Sequence, residues 1–407
     1  MTHTQPPESG QSPVVQPAHA HDGWPLGFVA HAGHAGLRAG GGEDISLVMC
    51  RRPAASAAMF TRSLFAGPAV RLSRAHAAGG ALRAVATVAQ NANVATGAAG
   101  EANAAEVVRL AAGLAGVEPG EVLLGATGVI GRPLPMPEVR AHFERAAQEG
   151  ADPFGASPAE VARAMMTTDT RPKTAYRRVG AARLVGVAKG VGMLEPDMAT
   201  MLAYVFTDAD LAAAELDTAL RSAADVSFHC LSVDGDTSTS DTVAVLASGA
   251  AGPVDAGAFS AALADLCLDL TRQLASDGEG ATRLLTVTVE GAADPAQARR
   301  VAKGVLNSPL VKTAVHGADP NWGRVLMALG KNPEETGVHP DRVTVRFGDV
   351  EVYPREPDPG TLERLRSAMT GPETRIGIGL GTGGARATVY GCDLSAEYVR
   401  VNSAYTS

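Results

Sequence analysis

Long apolar runs are missing from this 407-residue chain; none approaches the about 18 consecutive apolar residues that a membrane-spanning helix needs. Closely spaced cysteines are missing too. Cys50, Cys230, Cys267 and Cys392 lie far apart with no CxxC pair, which argues against a zinc ribbon or a disulfide scaffold and for free thiols in a reducing compartment. There is no excess of positive charge. A net charge of −8 argues against a nucleic-acid partner or an anionic membrane surface. No repeat of fixed period occurs. The N-terminal MTHTQPPESGQSPVVQPAHAHDGWP has neither a basic region nor an apolar core, so no secretory signal is expected and a cytoplasmic location is.

What is present is an ordinary globular balance, 45% hydrophobic and 19% charged, rich in glycine and alanine. Residues 1–24 are rich in Pro, Gln, Ser and His and are expected to form a disordered, solvated tail; the tail histidines are not expected to hold a metal. From Gly27 onward short apolar runs alternate with helical patterns. Strands are predicted at Ile45–Cys50, Val85–Ala89, Val122–Gly125, Leu184–Val187, Met201–Phe206 and Phe228–Val233. Later ones are Val243–Ala247, Leu284–Glu290, Val343–Phe347, Glu351–Tyr353 and Ala387–Cys392. Helices are predicted at Ala102–Leu114, Pro137–Ala147, Pro158–Met166, Asp210–Ala224, Ala256–Leu274, Pro295–Leu306 and Thr361–Met369, with Ser157 as an N-cap before Pro158. Hairpins beside helix-connected strands predict an α+β fold, layered rather than a regular βαβ repeat.

Two tempting motifs fail. Gly379–Gly384 matches GxGxxG, but the residues after it read as strand, and too little chain follows for the second strand and acidic residue of a dinucleotide site. Asp234–Asp241 begins like a calcium loop, but Thr239 replaces the required Gly and Val245 the closing Glu. It is expected instead to form a polar turn at the edge of a substrate pocket. No cofactor or metal site is expected.

The stretch AKGVGMLEPDMATMLAYVF, residues 188–206, raises a different chemistry. A threonine is a weak nucleophile without an adjacent base. Cleavage of the Ala199–Thr200 bond would give Thr200 a free α-amine, whose pKa of about 7.7–8.0 suits a general base. Ala199 is small, and Gly190, Gly192 and Pro196 can hold the scissile segment in a bend. Glycine in Thr127–Arg132, after a predicted strand, lets backbone N–H groups face a developing oxyanion.

Together these residues resemble one family, the ornithine acetyltransferases (glutamate N-acetyltransferases). The matching blocks include Gly27-Phe28, 126–131 (ATGVIG), 166–170 (MTTDT), 188–190 (AKG), Gly192-Met193 and 198–202 (MATML). They continue through 276–281 (SDGEGA), 307–313 (NSPLVKT), 316–324 (HGADPNWGR), 390–394 (YGCDL) and 402–407. The resemblance implies a sandwich of mixed β-sheets covered by helices, distinct in topology from the αββα amidohydrolase fold. It implies self-cleavage between Ala199 and Thr200 into an α chain of residues 25–199, after the tail, and a β chain of 200–407. Thr200 would then pass acetyl from N2-acetylornithine to glutamate by ping-pong transfer, in arginine biosynthesis and without a cofactor. Thr127 and Gly128 match the family's oxyanion-hole pair. Thr167, Lys189, Thr200, Glu279, Asn402 and Ser407 match its substrate contacts. The α and β chains are expected to stay associated, as (αβ)2 or a larger assembly. Val191, with Glu195-Pro196-Asp197, departs from the arginine-pathway pattern and is similar to the paralogue of clavulanic acid gene clusters, which opens a secondary-metabolism reading with a related acyl amino acid. The rival readings are an N-terminal-nucleophile amidase or aminopeptidase and an uncut binding protein. No nucleotide-binding signature is visible, so an acetyl-recycling enzyme is expected rather than one drawing on acetyl-CoA.

Overall fold

The computed structural model describes residues 16–17, 23–148, 152–195, 201–331, 334–335, 337–355 and 357–404. Three sheets organise the chain. A four-stranded sheet runs in the order Phe28–Gly33, Ile45–Cys50, Ala84–Val88, Val122–Ala126, with the last two strands parallel. A six-stranded sheet runs Gln16–Pro17, Lys173–Val179, Ala182–Lys189, Leu202–Asp210, Thr242–Pro253, Ala55–Phe60. Only the pair Leu202–Asp210 and Thr242–Pro253 is parallel in it. A five-stranded mixed sheet is built from Val350–Tyr353, Thr344–Phe347, Glu373–Gly379, Leu284–Ala292 and Ala385–Cys392.

Strand alternation explains the layering, because successive side chains point to opposite faces. Leu202, Tyr204 and Phe206 join Val48, Val85 and Leu123 in a core between the first two sheets, while Ala203 and Val205 face the other way. There they meet helices Ala213–Val226 and Ala256–Ser276 through Leu216, Leu220, Leu263 and Leu270. On the far side of the four-stranded sheet, Ile45, Leu47, Ala86 and Leu124 pack under Gly97–Ala115 and Met136–Gln148. The order is therefore helix, sheet, sheet, helix, and the sheet strands are buried on both faces. The five-stranded sheet joins the larger core through Leu285, Val287, Ile376 and Val389, covered by helix Pro295–Leu306. Its other face carries Thr288, Glu290, Arg346 and Arg386.

The helix ends follow local chemistry. Ser157 caps Pro158–Met165 as predicted, with a reciprocal bond to Glu160. Asp255 accepts from the Ala258 amide at 2.7 Å and starts the longest helix. All four cysteines are buried free thiols. Gly379 to Ala385 is a bend between two strands of one sheet, as expected.

Three expectations fail. Phe228–Val233 is not a strand: Phe228–Cys230 is a 3-10 turn, followed by an isolated bridge from Leu231 to Tyr390. A short buried apolar run has no periodicity to separate the two states. The helix predicted from Asp210 begins at Ala213, because the Leu202–Asp210 strand runs on and the Glu215 carboxylate caps the Ala212 amide at 2.8 Å. The tail expected over residues 1–24 is ordered in part: Gln16–Pro17 pairs with Arg177–Arg178 at the edge of the six-stranded sheet, and Trp24 is anchored, its indole donating to the Ala156 carbonyl at 2.7 Å and its ring packing edge-on against Phe206.

Candidate active site

One cavity gathers Thr127, Gly128, Thr167, Lys189, Glu279 and Asn402. These six come from five separate places in the chain, so the fold is what brings them together. The other three residues singled out from sequence, Ala199, Thr200 and Ser407, lie outside the described residues. Met201, which follows Thr200, lines the same cavity and leads into the Leu202–Asp210 strand. A larger groove of about 1050 Å³ lies along the edge strand Ala55–Phe60, but it shares no lining residue with this cavity and brings together none of these groups.

Thr127 and Gly128 leave the end of strand Val122–Ala126. The loop is stapled to residues 88–94: the Thr127 amide donates to Val88, Val129 to Gln90, and Gly131 to Val94. Gly128 has φ +132°, and a Cβ there would lie 2.1 Å from the Gln90 carbonyl carbon. Only glycine fits this approach. The Thr127 hydroxyl is buried and has no hydrogen-bond partner among the described residues. A buried hydroxyl without a partner is exceptional.

Lys189 ends strand Ala182–Lys189 and is positioned by a buried ionic cluster. Its ammonium donates to the Thr167 hydroxyl at 2.8 Å and stands 3.8 Å from Asp169. Asp169 also accepts from the amides of Gly190 at 2.9 Å and Thr167 at 3.1 Å. Behind it, fully buried Lys173 donates to Asp169 at 2.6 Å and to Asp277 at 2.5 Å. Burial alone would raise the Asp169 pKa, but Lys189 and Lys173 outweigh it and hold the carboxyl at about 2. Burial lowers the Lys189 pKa, opposed first by Asp169. Sequence reasoning missed this cluster; its one signal is a lysine at the head of the strand Lys173–Val179, five residues after two consecutive threonines.

Glu279 lines the same cavity as Lys189. Its carboxylate accepts from the Thr168 hydroxyl and from the Asn402 amide, each at 2.8 Å. Gly192 allows this placement, since a Cβ there would lie 2.4 Å from the carboxylate oxygen. The polar turn Asp234–Asp241 forms a further wall through Ser238, Ser240 and Asp241, at the pocket edge as expected.

The approach to the Ala199–Thr200 bond is fixed at both described ends. Asp234 accepts from the amides of Met193 at 2.6 Å and Leu194 at 2.7 Å. The Glu195 carboxylate accepts from the Ser232 hydroxyl at 2.6 Å and from the Asn307 amide, with Lys303 at 3.4 Å. Beyond the undescribed residues 196–200, the Met201 carbonyl accepts from the Thr242 amide at 2.9 Å. A cationic and an anionic group lining one cavity suit an amino-acid substrate.

Comparison with known proteins supplies the family. The chain matches the ArgJ family over residues 29–407. It is similar to glutamate N-acetyltransferase Oat2 of Streptomyces clavuligerus, with 50% identity over 392 residues, 94% of this chain and 98% of that protein. It is 48% identical over 385 residues to the arginine biosynthesis bifunctional protein ArgJ of Rhodococcoides fascians, covering 94% of each. Among solved structures, the arginine biosynthesis bifunctional protein argJ from Bacillus halodurans aligns at 37% identity and a TM-score of 0.47, over 50% of this chain and 98% of that one. Near-complete coverage at this identity leaves one assignment: the chain belongs to the ArgJ family.

Proposed function

We propose that this chain is a self-processing glutamate N-acetyltransferase that moves acetyl from N2-acetylornithine to glutamate. The observation that carries the reading is the single cavity where Lys189, Glu279 and the Thr127–Gly128 loop face the head of the Met201 strand. Cleavage of the Ala199–Thr200 bond frees an α-amine on Thr200. In the first half-reaction the Thr200 hydroxyl attacks the acetyl carbonyl and its proton passes to that amine. The Gly128 amide and the Thr127 hydroxyl meet the oxyanion. The amine returns the proton to the leaving nitrogen, ornithine departs, and an acetyl ester remains on Thr200. In the second half-reaction the glutamate amine attacks the ester and the hydroxyl is restored.

Lys189 pairs with the substrate α-carboxylate, and Glu279 with the distal ammonium of ornithine, with Thr167, Asn402 and Ser407 completing the pocket. The α chain 25–199 and the β chain 200–407 share one core, since the strands on either side of the cut, Ala182–Lys189 and Leu202–Asp210, are hydrogen-bonded neighbours. They stay together after cleavage and assemble as (αβ)2 or a multiple, in the cytoplasm. Among the described residues no helix is long and apolar enough to cross a membrane.

The test is acetyl transfer from labelled N2-acetylornithine with and without glutamate. Label in N-acetylglutamate, with ornithine released in equal amount, supports the reading. Free acetate formed at the same rate without glutamate would replace transfer by hydrolysis. Acetyl-CoA offered as the sole donor is expected to yield no N-acetylglutamate.

A further inference from the structure

The two amino acids of the proposed reaction present opposite charges to one place. Ornithine carries a distal ammonium; glutamate carries a distal carboxylate, ionised at neutral pH because its ordinary pKa is about 4.3. Both also carry an α-carboxylate. Among the described residues that line the catalytic cavity, Lys189 is the one cation, and the acids are Asp241 and Glu279. With Lys189 taken by the α-carboxylate, Glu279 attracts the side chain of ornithine and repels that of glutamate. A fixed cavity would serve the donor and reject the acceptor.

Glu279 lines two cavities. The second is a groove of about 600 Å³ that shares only Thr168 and Glu279 with the first. Most charges in the groove are already matched: Asp277 by Lys173, His316 by Asp393 at 2.7 Å, and Glu397 by Arg400 at 2.7 Å. Arg171 differs. It is exposed, its guanidinium donates to the Ser276 hydroxyl at 2.6 Å, and it has no carboxylate partner among the described residues. The chain holds it close to Glu279, since Ser276 is three residues before Glu279 and Thr170, next to Arg171, donates to Asp277 at 3.1 Å. In the catalytic cavity, Glu279 accepts from the Thr168 hydroxyl and the Asn402 amide, each at 2.8 Å. These two donors suit any carboxylate that stands where the Glu279 carboxylate stands.

We propose that Glu279 works in two positions. Turned inward, it meets the ornithine ammonium. When glutamate binds, Glu279 turns into the groove against Arg171, and the γ-carboxylate of the substrate takes its place between Thr168 and Asn402. Arg171 is then a positioning residue for the acceptor half-reaction, acting through Glu279. The proposal rests on the acetyl-transfer reading above. No bond forms or breaks in this step; one carboxylate replaces another at the same two donors, so one cavity serves two side chains of opposite charge.

The test measures two acceptors on the cut protein. Exchange of labelled ornithine into N2-acetylornithine reads the ornithine side alone, and N-acetylglutamate formation at saturating N2-acetylornithine reads glutamate. Arg171→Ala should raise KM for glutamate about tenfold, the worth of a charged hydrogen bond, with kcat and the KM for ornithine exchange within about twofold of wild type. Arg171→Lys keeps the charge and should recover part of the loss. Glu279→Gln should move the two KM values in opposite directions, up for ornithine and down for glutamate, because it removes the attraction to one and the repulsion of the other. An unchanged glutamate KM in Arg171→Ala would overturn the proposal; a Glu279 that stays inward and shares a proton with glutamate gives that result. A parallel rise for both acceptors in Arg171→Ala, or a Glu279→Gln variant whose two KM values rise together, would overturn it as well. Failure of the underlying reading looks different: wild type gives neither ornithine exchange nor N-acetylglutamate.

Discussion

Lys173→Met tests whether the buried ionic cluster holds the substrate wall. The side chains of Lys173 and Asp169 are 0% exposed and that of Asp277 is 4% exposed. Removing the ammonium leaves Asp277 with the amide and hydroxyl of Thr170, and Asp169 with Lys189 at 3.8 Å and two amides. Breaking a buried pair from one side costs about 3–5 kcal/mol, a large share of a typical stability of about 5–15 kcal/mol. The assay is urea unfolding at pH 7 in a Thr200→Ala background, where each protein unfolds as one chain. The pH dependence fixes the sign. Asp169 is lowered from 3.8 to about 2. A carboxylate lowered on folding adds stability above its unfolded pKa and loses it as pH falls through the folded one. For this group the window is pH 4 to 2 and the amount about 2 kcal/mol. Lys173→Met weakens that lowering, so the gap between the two proteins should narrow on acidification through the same window. A gap under about 1 kcal/mol at pH 7, the size of an exposed pair, would refute the reasoning, as would a gap that widens on acidification.

Three further outcomes follow from the geometry. Gly128→Ala forces a Cβ onto the Gln90 carbonyl and shifts the oxyanion amide; kcat should fall about 10²–10³-fold, and steady-state kinetics within about threefold of wild type would remove that amide from the reaction. Gly192→Ala pushes the Glu279 carboxylate away from Thr168 and Asn402, so KM for acetylornithine should rise about tenfold or more, the worth of one charged hydrogen bond; an unchanged KM would detach Glu279 from the substrate ammonium. Glu195→Gln loosens the clamp on Ser232, Asn307 and Lys303 ahead of the scissile bond, and a gel time course should show self-cleavage slowed about tenfold, corresponding to about 1.4 kcal/mol. Cleavage at the wild-type rate would leave Glu195 without that task.

The strands legible in the sequence were those whose two buried faces made dense apolar runs, such as Ile45–Cys50 and Leu202–Asp210. Those that escaped include Gln16–Pro17, Phe28–Gly33 and Glu373–Gly379, as well as Ala55–Phe60, built on three alanines with little strand preference, and Lys173–Val179, whose lysine and two arginines read as solvated. The helices Pro309–His316 and Trp322–Gly330 were too short for a clear period, and the latter is interrupted by glycine. At the site, Thr127, Lys189 and Glu279 were identified through resemblance, because residues so far apart in the chain meet only in the fold. Asp241 appeared in sequence only as the end of a polar turn expected at the pocket edge; its burial and its lack of a hydrogen-bond partner among the described residues are tertiary facts. Lys173 likewise shows its role only once Asp169 and Asp277 close around it.

The most direct test of the account is intact mass with N-terminal sequencing of the purified wild-type chain beside Thr200→Ala. Two wild-type fragments, the second beginning Thr200-Met201, with a variant that stays whole, are the predicted result. A wild-type chain that remains uncut after long incubation, or a Thr200→Ala chain that is cut at the same bond, would contradict it.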